Sequence, residues 1–230
     1  MAESDEKVFC IGDIHGCFDR LTALIDLLPV DRTRDTLVFL GDYINRGPDS
    51  AKVVEKLLEI EETHHRVIFL KGNHEQMLLE YAETSDVELV PSLRMMGIEA
   101  TAASYGARVQ SLQKLSCFPE RHQRFFHSLR FAWHWNGYIF THADITDELI
   151  GKYAGGDTLA QHNVLEEAQL LCGRRFWERG SFINDVTVVF GHTPFLTPLV
   201  LPHQICIDTG AVYGNMLTAM ELPGKRFYHG

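Results

Sequence analysis

Short apolar runs that end in aspartate, asparagine or histidine recur along this chain and constrain its fold more than any other feature. Residues 37–40 form the apolar run Leu-Val-Phe-Leu, and Gly41 and Asp42 follow it directly. A short apolar run containing β-branched residues indicates a buried strand, and the glycine ends it. Asp42 is therefore expected at the carboxyl end of a strand. Five further runs end in the same way, at Asp13, Asn73, His142, His192 and Asp208.

Side chains at the carboxyl ends of neighbouring strands meet at one edge of a sheet, where they can bind a ligand. In this chain those side chains all offer oxygen or nitrogen atoms, and most of them stand beside a glycine. Convergent donors of this kind are best explained by a bound cation. The pattern therefore predicts a metal site at the strand ends.

Strand and helix patterns alternate in the first third of the chain. Such alternation is typical of a mostly parallel sheet with helices on its faces. The spacing of the leucines and Ile25 over residues 21–28 is that of an amphipathic helix, and Pro29 ends it. Asp49 or Ser50 is expected to cap the next helix. The predicted order is helix 17–28, strand 37–40, helix 50–62, strand 66–70 and helix 74–83.

The pattern changes after residue 84. Pro91, Gly97 and Gly106 interrupt the regular pattern over residues 84–106. We expect this segment to form a short helical excursion and a wall of the cleft. Asn136-Gly137 between two apolar runs predicts a two-residue hairpin turn. Strands in the second half are expected to shift toward antiparallel pairing. The remaining predicted elements are helix 119–129, a helix capped by Asp157 that runs to Cys172, and strands 186–190, 198–201, 205–207 and 216–222.

Composition excludes several classes of protein. The 230 residues suffice for a single domain over 1–230, and no apolar run approaches the roughly 20 residues of a membrane span. The acidic, polar start of the chain is unlike a signal peptide. Five cysteines without a C-x-x-C pair predict reduced thiols in a cytoplasmic protein.

The net charge of −10 argues against broad binding to nucleic acid or to an anionic membrane, which both require a basic face. It does not exclude a phosphorylated substrate, either a phosphoprotein or a nucleotide. Bound divalent metals and a few arginines can invert the sign of the charge locally.

Five segments of the chain resemble, in order, the signature blocks of the PPP-type metallophosphatases. They are Gly12-Asp13-Ile14-His15-Gly16, Gly41-Asp42-Tyr43-Ile44-Asn45-Arg46-Gly47, Gly72-Asn73-His74-Glu75, His142 and Gly191-His192-Thr193. Arg174 and Asp208-Thr209-Gly210 resemble the bacterial, phage-phosphatase-like branch. One block alone would be weak, but five in order at reasonable spacing are specific. The resemblance implies the calcineurin-like metallophosphoesterase fold, an α/β sandwich of two mixed β-sheets flanked by helices.

The resemblance also implies a centre of two divalent metal ions. Two metals about 3.5–4 Å apart need a bridging ligand, and the short carboxylate of Asp42 is expected to provide it. Mixed nitrogen and oxygen ligands without thiolate suit manganese, iron, zinc or cobalt more than calcium or magnesium, and manganese is the preferred prediction. The other expected ligands are Asp13 and His15 for one metal and, as the family implies, Asn73, His142 and His192 for the other.

The implied chemistry is direct, in-line attack on phosphorus by a hydroxide that bridges the two metals, without a phosphoenzyme. Arg46 and Arg174 are expected to hold the phosphoryl oxygens, with Asn73 close by, because the planar guanidinium matches their geometry. Arg175 is expected to point elsewhere. His74 is expected to donate a proton to the leaving oxygen.

Asn45 departs from the family pattern. Most members carry aspartate there, and it pairs with the histidine that corresponds to His74. A carboxylate raises the imidazole pKa and keeps the ring protonated. Asparagine is expected to accept a hydrogen bond from His74 and fix its tautomer, but it supplies no charge. We therefore expect a weakened general acid that favours leaving groups needing little protonation, such as aryl phosphates, phosphotyrosine or nucleotide phosphates, over phosphoserine.

Three residues near these blocks have open roles. Asp208 is expected either to support a ligand histidine or to cap a turn. Tyr213 is expected either to line the cleft or to pack within the fold. Asp144 follows His142 closely and is expected to orient it.

The preferred function is phosphoester hydrolysis by a protein-phosphatase-like enzyme that acts on serine, threonine or tyrosine phosphates. One alternative is a dinucleoside polyphosphate hydrolase, because the dinucleoside-tetraphosphate hydrolases also lack aspartate at the position of Asn45. Release of nucleoside diphosphate would distinguish this activity. A second alternative is a catalytically weak phosphate-binding regulatory module, against which the intact ligand set counts.

Overall fold

The computed structural model describes residues 6–154, 162–174 and 186–230, which form two five-stranded mixed β-sheets flanked by helices. The strands are β1 (Val8–Ile11), β2 (Thr36–Phe39), β3 (Arg66–Phe69), β4 (Ala132–Trp135), β5 (Tyr138–Thr141), β6 (Thr187–Phe190), β7 (Leu199–Leu201), β8 (Gln204–Cys206), β9 (Thr218–Leu222) and β10 (Arg226–His229). The helices are α1 (Phe18–Leu27), α2 (Ser50–Thr63), α3 (Asn73–Thr84), α4 (Val90–Met95), α5 (Ile98–Ser104), α6 (Glu120–Ser128), α7 (Asp147–Ala154) and α8 (Val164–Cys172).

The first sheet has the order β10-β9-β1-β2-β3. β1, β2 and β3 are parallel, with Ile11 paired to Phe39 and Phe39 paired to Phe69, so that their carboxyl ends lie side by side. β9 and β10 extend the sheet antiparallel on the other side of β1. The predicted alternation of strands and helices over residues 8–84 is confirmed.

The second sheet has the order β4-β5-β6-β8-β7. Asn136 and Gly137 both have positive φ, as a two-residue hairpin turn between β4 and β5 requires. β5, β6 and β8 are parallel, and only the edge strands pair antiparallel. The expected shift toward antiparallel strands is therefore wrong for the centre of this sheet, where parallel strands again bring their carboxyl ends to one edge.

Strand residues alternate between two apolar layers, because successive side chains point to opposite faces of a sheet. Val8 and Cys10 pack with Phe140 and Ile205 in a fully buried layer between the two sheets. Phe9 and its neighbours on the other face pack against α1, α2 and α3. A third layer joins the outer face of the second sheet to α7 and α8. Both sheets are covered on both faces, which explains their unbroken apolar runs.

Some predicted details differ from the structure. Asp49 stands at the start of α2 but forms an ion pair with Lys52 at 2.7 Å instead of capping the helix, and Ser50 Oγ accepts from Asn45 N. The expected cap Asp157 lies outside the described residues, and Asn163 caps α8 through its side chain. α7 and β10 were not predicted. Within the described residues, no helix combines the length and apolar character that a membrane span requires.

A helical region after α3 runs over residues 87–128 and includes both the predicted excursion and the predicted helix 119–129, which is confirmed as α6. It contains α4, α5, α6 and two 3₁₀ segments, Val87–Leu89 and Val109–Leu115. We call residues 87–128 the helical cap. Its buried side chains, among them Leu112 and Phe126, join the apolar layer of α2 and α3. This packing places α5 next to the turn that follows β2.

Candidate metal centre

Backbone hydrogen bonds join the turns that follow β1 and β2. The Ile14 and His15 amides donate to the carbonyl oxygen of Asp42 at 3.1 and 2.8 Å, and Gly16 N donates to Tyr43 O at 2.8 Å. These bonds continue the parallel pairing of the strands into the loops. They fix the side chains of both turns relative to one another.

Two glycines allow side chains to converge at the strand ends. A Cβ atom on Gly72 would lie 2.1 Å from Asp42 Oδ1, and a Cβ on Gly191 would lie 2.1 Å from Asp13 Oδ1. Both carboxylates therefore occupy space that any other residue would fill. Positive φ angles add local strain of a kind that is concentrated at functional sites. The non-glycine site residues with positive φ are His15, Asp42, Asn45, Arg46 and His192.

Glu75 holds the turn after β2, a role that the sequence did not reveal. Its buried carboxylate accepts from the amides of Asp42, Tyr43 and Ile44 at 3.0, 2.9 and 3.3 Å, and from Gly72 N at 3.0 Å. The only sequence signal was its position in the first turn of α3, where a glutamate commonly reaches back to the preceding backbone. Burial, followed by the charge of Asp42, raises the pKa of Glu75 to about 8.

The two oxygens of Asp42 face different groups of donors. Oδ2 lies 3.4 Å from His15 Nε2 and 3.8 Å from His74 Nε2. Oδ1 lies 3.5 Å from His142 Nε2. Two groups of metal-ligand atoms, each within 4.8 Å, are found among the described residues, and Asp42 belongs to both. This placement is consistent with the predicted bridging role.

Asn73 brings together the second group. Its Oδ1 lies 3.1 Å from His142 Nε2 and 3.2 Å from His192 Nδ1. These three residues come from α3, the end of β5 and the end of β6, as expected. The second predicted ligand set is thus assembled at the edge where both sheets end.

Asp13 differs from its expected arrangement. Its two carboxylate oxygens accept from the His192 backbone amide at 3.2 and 3.1 Å, and it belongs to neither donor group. His74 takes its place in the group around His15. Asp13 is nevertheless buried within the site, where burial and the charges of Asp208 and Asp42 raise its pKa.

The histidine tautomers fit a metal. His15 Nδ1 and His142 Nδ1 each lie 2.9 Å from a backbone carbonyl, of Ile44 and Leu40 respectively, so both Nδ1 atoms carry the proton. The Nε2 lone pair of His142 then faces oxygens of Asp42 and Asn73, whereas that of His15 faces Asp42 and already accepts from the cationic Arg46. Two acceptors that face each other need a cation between them, and a carbonyl-bound imidazole is the usual ligand form.

The pKa values of the site residues also fit a bound cation. Burial is the largest cause that lowers the pKa of His15 to about 3 and of His142 to about 4, so both rings are neutral ligands at pH 7. Burial also raises the pKa of Asp42 to about 7. A divalent cation would remove the cost of holding these carboxylates charged in a buried site. The donor set therefore fits the metals that the resemblance implies.

Both predicted arginines reach the site. Arg46 Nη1 is hydrogen-bonded to His15 Nε2, so its positive charge lies against a predicted ligand nitrogen. Its guanidinium carbon lies 5.6 Å from the centre of the Tyr213 ring. Arg174 Nε donates to His192 Nε2 at 3.4 Å. Both arginines are exposed. Arg175 lies outside the described residues.

Asn45 contacts His74 as expected but in the opposite sense. Asn45 Nδ2 lies 2.8 Å from His74 Nδ1, and an amide nitrogen can only donate. The expectation that Asn45 accepts from His74 is therefore wrong. Its oxygen is already bound to the hydroxyl of Thr101, at 2.7 Å. Burial is the largest cause that lowers the pKa of His74, so the ring is neutral.

The three open residues have separate outcomes. Asp208 Oδ1 accepts from Gly210 N at 2.9 Å, which is the turn-capping role. Asp144 accepts from Gln204 Nε2 at 3.3 Å, whereas the Leu40 carbonyl orients His142, so the expected role of Asp144 is wrong. Tyr213 is 64% exposed and lines the cleft.

A cleft of about 320 Å³ opens over the donor groups. Its lining includes both arginines and four of the predicted ligands, His15, Asp42, Asn73 and His192. It also includes an apolar and aromatic wall, formed by Met96, Pro194, Val212 and Tyr213. The cleft therefore combines cationic and metal-binding groups with an apolar surface.

Residues 6–211 match the family described as calcineurin-like phosphoesterase. The chain is 31% identical to the bis(5′-nucleosyl)-tetraphosphatase PrpE (asymmetrical) of Oceanobacillus iheyensis, over 96% of this chain and 90% of that protein. The corresponding protein of Bacillus subtilis is also 31% identical, over 93% and 89%.

Among solved structures, the fold is similar to a cold-active protein-tyrosine phosphatase from a psychrophilic Shewanella species. The TM-score is 0.67 at 18% identity, over 99% of this chain and 80% of that one. At this identity the likeness concerns the fold alone.

Proposed function

The chain belongs to the calcineurin-like phosphoesterase family, and we propose that it hydrolyses dinucleoside polyphosphates with the aid of two divalent metal ions. The observation that carries this proposal is the cleft, whose lining combines metal-binding donors and two arginines with an apolar and aromatic wall. Such a cleft suits a phosphate chain attached to a nucleoside. The similarity to bis(5′-nucleosyl)-tetraphosphatases over more than nine-tenths of the chain supports the same substrate. The protein-phosphatase-like function that the sequence favoured therefore takes second place.

The family depends on a dinuclear metal centre, and the proposed ligands are the six that the sequence indicated. Asp42 would bridge the ions, because each of its oxygens faces one donor group. Manganese remains our preferred metal, with iron, zinc and cobalt as alternatives. When bound, the ions would act as Lewis acids toward the phosphoryl oxygens and the attacking water. The other ligands would be Asp13, His15, Asn73, His142 and His192.

The chain's own residues would supply binding and orientation. Arg46 and Arg174 stand at the cleft and would neutralise phosphate oxygens through paired N–H donors. Tyr213 would stack on a base, since base–aromatic stacking needs only an exposed ring at the mouth of the site. His74 would face the oxygen that leaves phosphorus.

The neutral state of His74 agrees with this substrate. When a phosphoanhydride bond breaks, the leaving group is itself a phosphate, which is a weak base and needs little protonation. Asn45 supplies no charge that would keep His74 protonated. An alkyl phosphate would need a stronger acid at this position.

The relatives are described as asymmetrical, which predicts the products. Unequal cleavage of a four-phosphate bridge yields one nucleoside monophosphate and one nucleoside triphosphate. Equal cleavage would yield two diphosphates, the product that the sequence alone suggested as the discriminator. We propose the unequal cleavage for this chain.

The direct test is hydrolysis of diadenosine tetraphosphate by chelator-stripped protein after addition of manganese, iron, zinc, cobalt or magnesium separately. We expect AMP and ATP in equal amounts by anion-exchange chromatography, at a higher kcat/KM than for p-nitrophenyl phosphate or a phosphotyrosine peptide. Asp42→Asn serves as the inactive control. Faster turnover of the phosphopeptide than of the dinucleotide would overturn the proposed substrate and favour the protein-phosphatase hypothesis.

Tyr213→Ala tests the aromatic wall. Loss of one stacked base should raise KM for the dinucleotide by about tenfold, the effect of roughly 1–3 kcal/mol of stacking. KM for p-nitrophenyl phosphate should change much less. Tyr213→Phe is the matched control, because it keeps the ring over Arg46. An equal change for both substrates would refute the stacking role.

A further inference from the structure

The hydroxyl of Thr101 reaches from the helical cap into the turn after β2. Thr101 lies on α5 and is fully buried. Its Oγ1 accepts from Asn45 N at 2.9 Å and lies 2.7 Å from Asn45 Oδ1. Ser50 Oγ, also fully buried, lies 3.0 Å from Thr101 Oγ1 and 3.2 Å from Asn45 N. Thr101 and Asn45 are 56 residues apart in the sequence.

The donors in this group determine how the amide of Asn45 is turned. A hydroxyl has one hydrogen to donate, and a carbonyl oxygen can only accept. The Thr101 hydroxyl therefore donates to Asn45 Oδ1, and the Ser50 hydroxyl can donate to Thr101. With its oxygen held by Thr101, Asn45 directs its Nδ2 atom toward His74.

The orientation of the amide in turn determines the tautomer of His74. Asn45 Nδ2 donates to His74 Nδ1, so that nitrogen carries no proton. A ring whose Nδ1 accepts this hydrogen bond carries its proton on Nε2, the atom that lies 3.8 Å from Asp42 Oδ2. The reversed amide would place the proton on Nδ1 and leave Nε2 without a hydrogen to donate.

We infer that Thr101 is a positioning residue that makes His74 an Nε2–H hydrogen-bond donor toward the leaving phosphate. The role rests on the proposed hydrolase function. In the reaction the water oxygen bonds to phosphorus, the bridging P–O bond breaks, and its electron pair leaves with the departing phosphate. The protons of the attacking water pass to solvent. His74 keeps its proton and stabilises the leaving oxygen by a hydrogen bond, which suffices for a weakly basic phosphate.

A second contact shows that the cap is fitted closely to this turn. Arg46 N donates to Gly97 O at 3.2 Å, and a Cβ on Gly97 would lie 2.9 Å from Arg46 N. Gly97 also has a positive φ of 79°. Gly97, which directly precedes α5, and the Thr101 hydroxyl therefore approach two successive residues of the turn, Arg46 and Asn45. The helical cap therefore fixes the backbone position of Arg46 and the orientation of the Asn45 amide.

The tautomer can be observed directly by NMR of the imidazole nitrogens in the zinc-loaded protein, with His74→Gln to assign the signals. We expect His74 to show a protonated Nε2 and an unprotonated Nδ1. Thr101→Val, which keeps the shape of the side chain, should change this pattern, and Thr101→Ser should retain it. A protonated Nδ1 in the wild type, or an unchanged pattern in Thr101→Val, would overturn the inference. This measurement does not depend on the substrate.

Kinetics give a second measurement. Thr101→Val should lower kcat for diadenosine tetraphosphate by about tenfold, the size of one lost hydrogen bond, with little change in KM. Thr101→Ser should restore most of the rate. Thr36→Val is the matched control, because Thr36 is equally buried and its hydroxyl binds Glu6 far from the turn. Equal loss of kcat in both valine variants, with unchanged His74 signals, would assign Thr101 a merely structural role.

A protein that fails on the dinucleotide but shows the expected tautomers would refute the proposed substrate and leave the role of Thr101 intact. Conversely, turnover of the dinucleotide with the reversed tautomer would refute the role of Thr101 alone. Thermal unfolding of each variant identifies any that do not fold. If Thr101→Val is unfolded, Thr101→Ala takes its place.

Discussion

The strand-end donors lie beside His74, whereas the helical cap acts on it only through Asn45, and the two regions are held in different ways. The strand ends are fixed by parallel pairing, by backbone bonds between the turns and by glycines that allow close approach. The cap is fixed by apolar packing on α2 and α3, and it contacts the site through a hydroxyl and a backbone carbonyl.

The two regions therefore serve different steps, metal binding at the strand ends and hydrogen-bond orientation at the helical cap. The strand ends assemble the donors that fit metal ions, and their geometry follows from the topology of the sheets. The cap contributes no donor to either metal-ligand group of the described residues. It determines the orientation of the Asn45 amide and, through that amide, which nitrogen of His74 carries the proton. Substitutions in the two regions should therefore have distinct effects.

Asp42→Asn should have the largest effect, because it removes the carboxylate shared by both donor groups. Loss of a residue that merely orients a metal ligand lowers metal affinity or activity by about 10–100-fold. Loss of a bridging ligand should lower them further. We expect loss of bound metal by elemental analysis together with loss of turnover. Retention of two metals per chain and of activity would show that Asp42 is not the bridge.

Glu75→Gln should have the next largest effect. The amide would present an NH₂ group to backbone amides that now share a carboxylate, leaving buried donors unsatisfied. We expect the free energy of unfolding to fall by about 2–4 kcal/mol in urea titrations. Glu80→Gln on the exposed face of the same helix is the control and should change it by less than about 0.5 kcal/mol. Similar losses in both variants would contradict the role of Glu75.

Asn45→Asp tests the side of the site that the cap controls. The Thr101 hydroxyl can still donate to one carboxylate oxygen, while the other accepts from His74 Nδ1 and keeps the ring protonated. We expect hydrolysis of a phosphoserine peptide to rise by about tenfold relative to an aryl phosphate, because the alkyl leaving group needs the proton. If both substrates respond equally, the role of Asn45 in leaving-group preference is refuted.

The pH dependence of the metal-free protein tests the charge of the strand-end carboxylates. Asp42 and Glu75 have folded-state pKa values of about 7 and 8, above their unfolded values, so the folded state binds more protons than the unfolded state. Between pH 6.5 and 8 the free energy of unfolding should therefore fall as pH rises, by about 1–3 kcal/mol. Below pH 6.5 the histidines, whose folded-state pKa values are lowered, oppose this trend.

Urea unfolding of chelator-treated protein at several pH values measures this change. Saturating manganese should abolish the fall, because the cation compensates the carboxylate charges. A free energy of unfolding that rises between pH 6.5 and 8 in the metal-free protein would show that ionisation of these carboxylates does not destabilise the fold.

The sequence predicted the strand-end half of the molecule well. Each of the six runs forms a strand or ends one, because apolar runs and glycines are local signals and parallel pairing brings their ends together. The donors Asp42, Asn73, His142 and His192 follow from the same rule. β10 and α7 were missed because their short segments show no clear period.

The sequence was less informative about contacts that depend on one atom. Nothing in the pattern around Thr101 indicates that its hydroxyl binds Asn45, and Glu75 resembles any glutamate in a first helical turn. The sense of the hydrogen bond between Asn45 and His74 was wrong for this reason. Side-chain orientation depends on the tertiary neighbours that satisfy each polar atom, and those neighbours are far apart in sequence.

The hydroxyl that links the cap to the turn also bears on how such proteins diverge. The metal donors stand at the strand ends, whereas α5 belongs to the helical cap and contacts the turn after β2 through the Thr101 hydroxyl. Replacing or shifting that segment would alter the preferred leaving group without touching a single ligand. One scaffold could in this way give rise to descendants that act on anhydrides and others that act on esters, through mutations in a region that performs no bond-making itself.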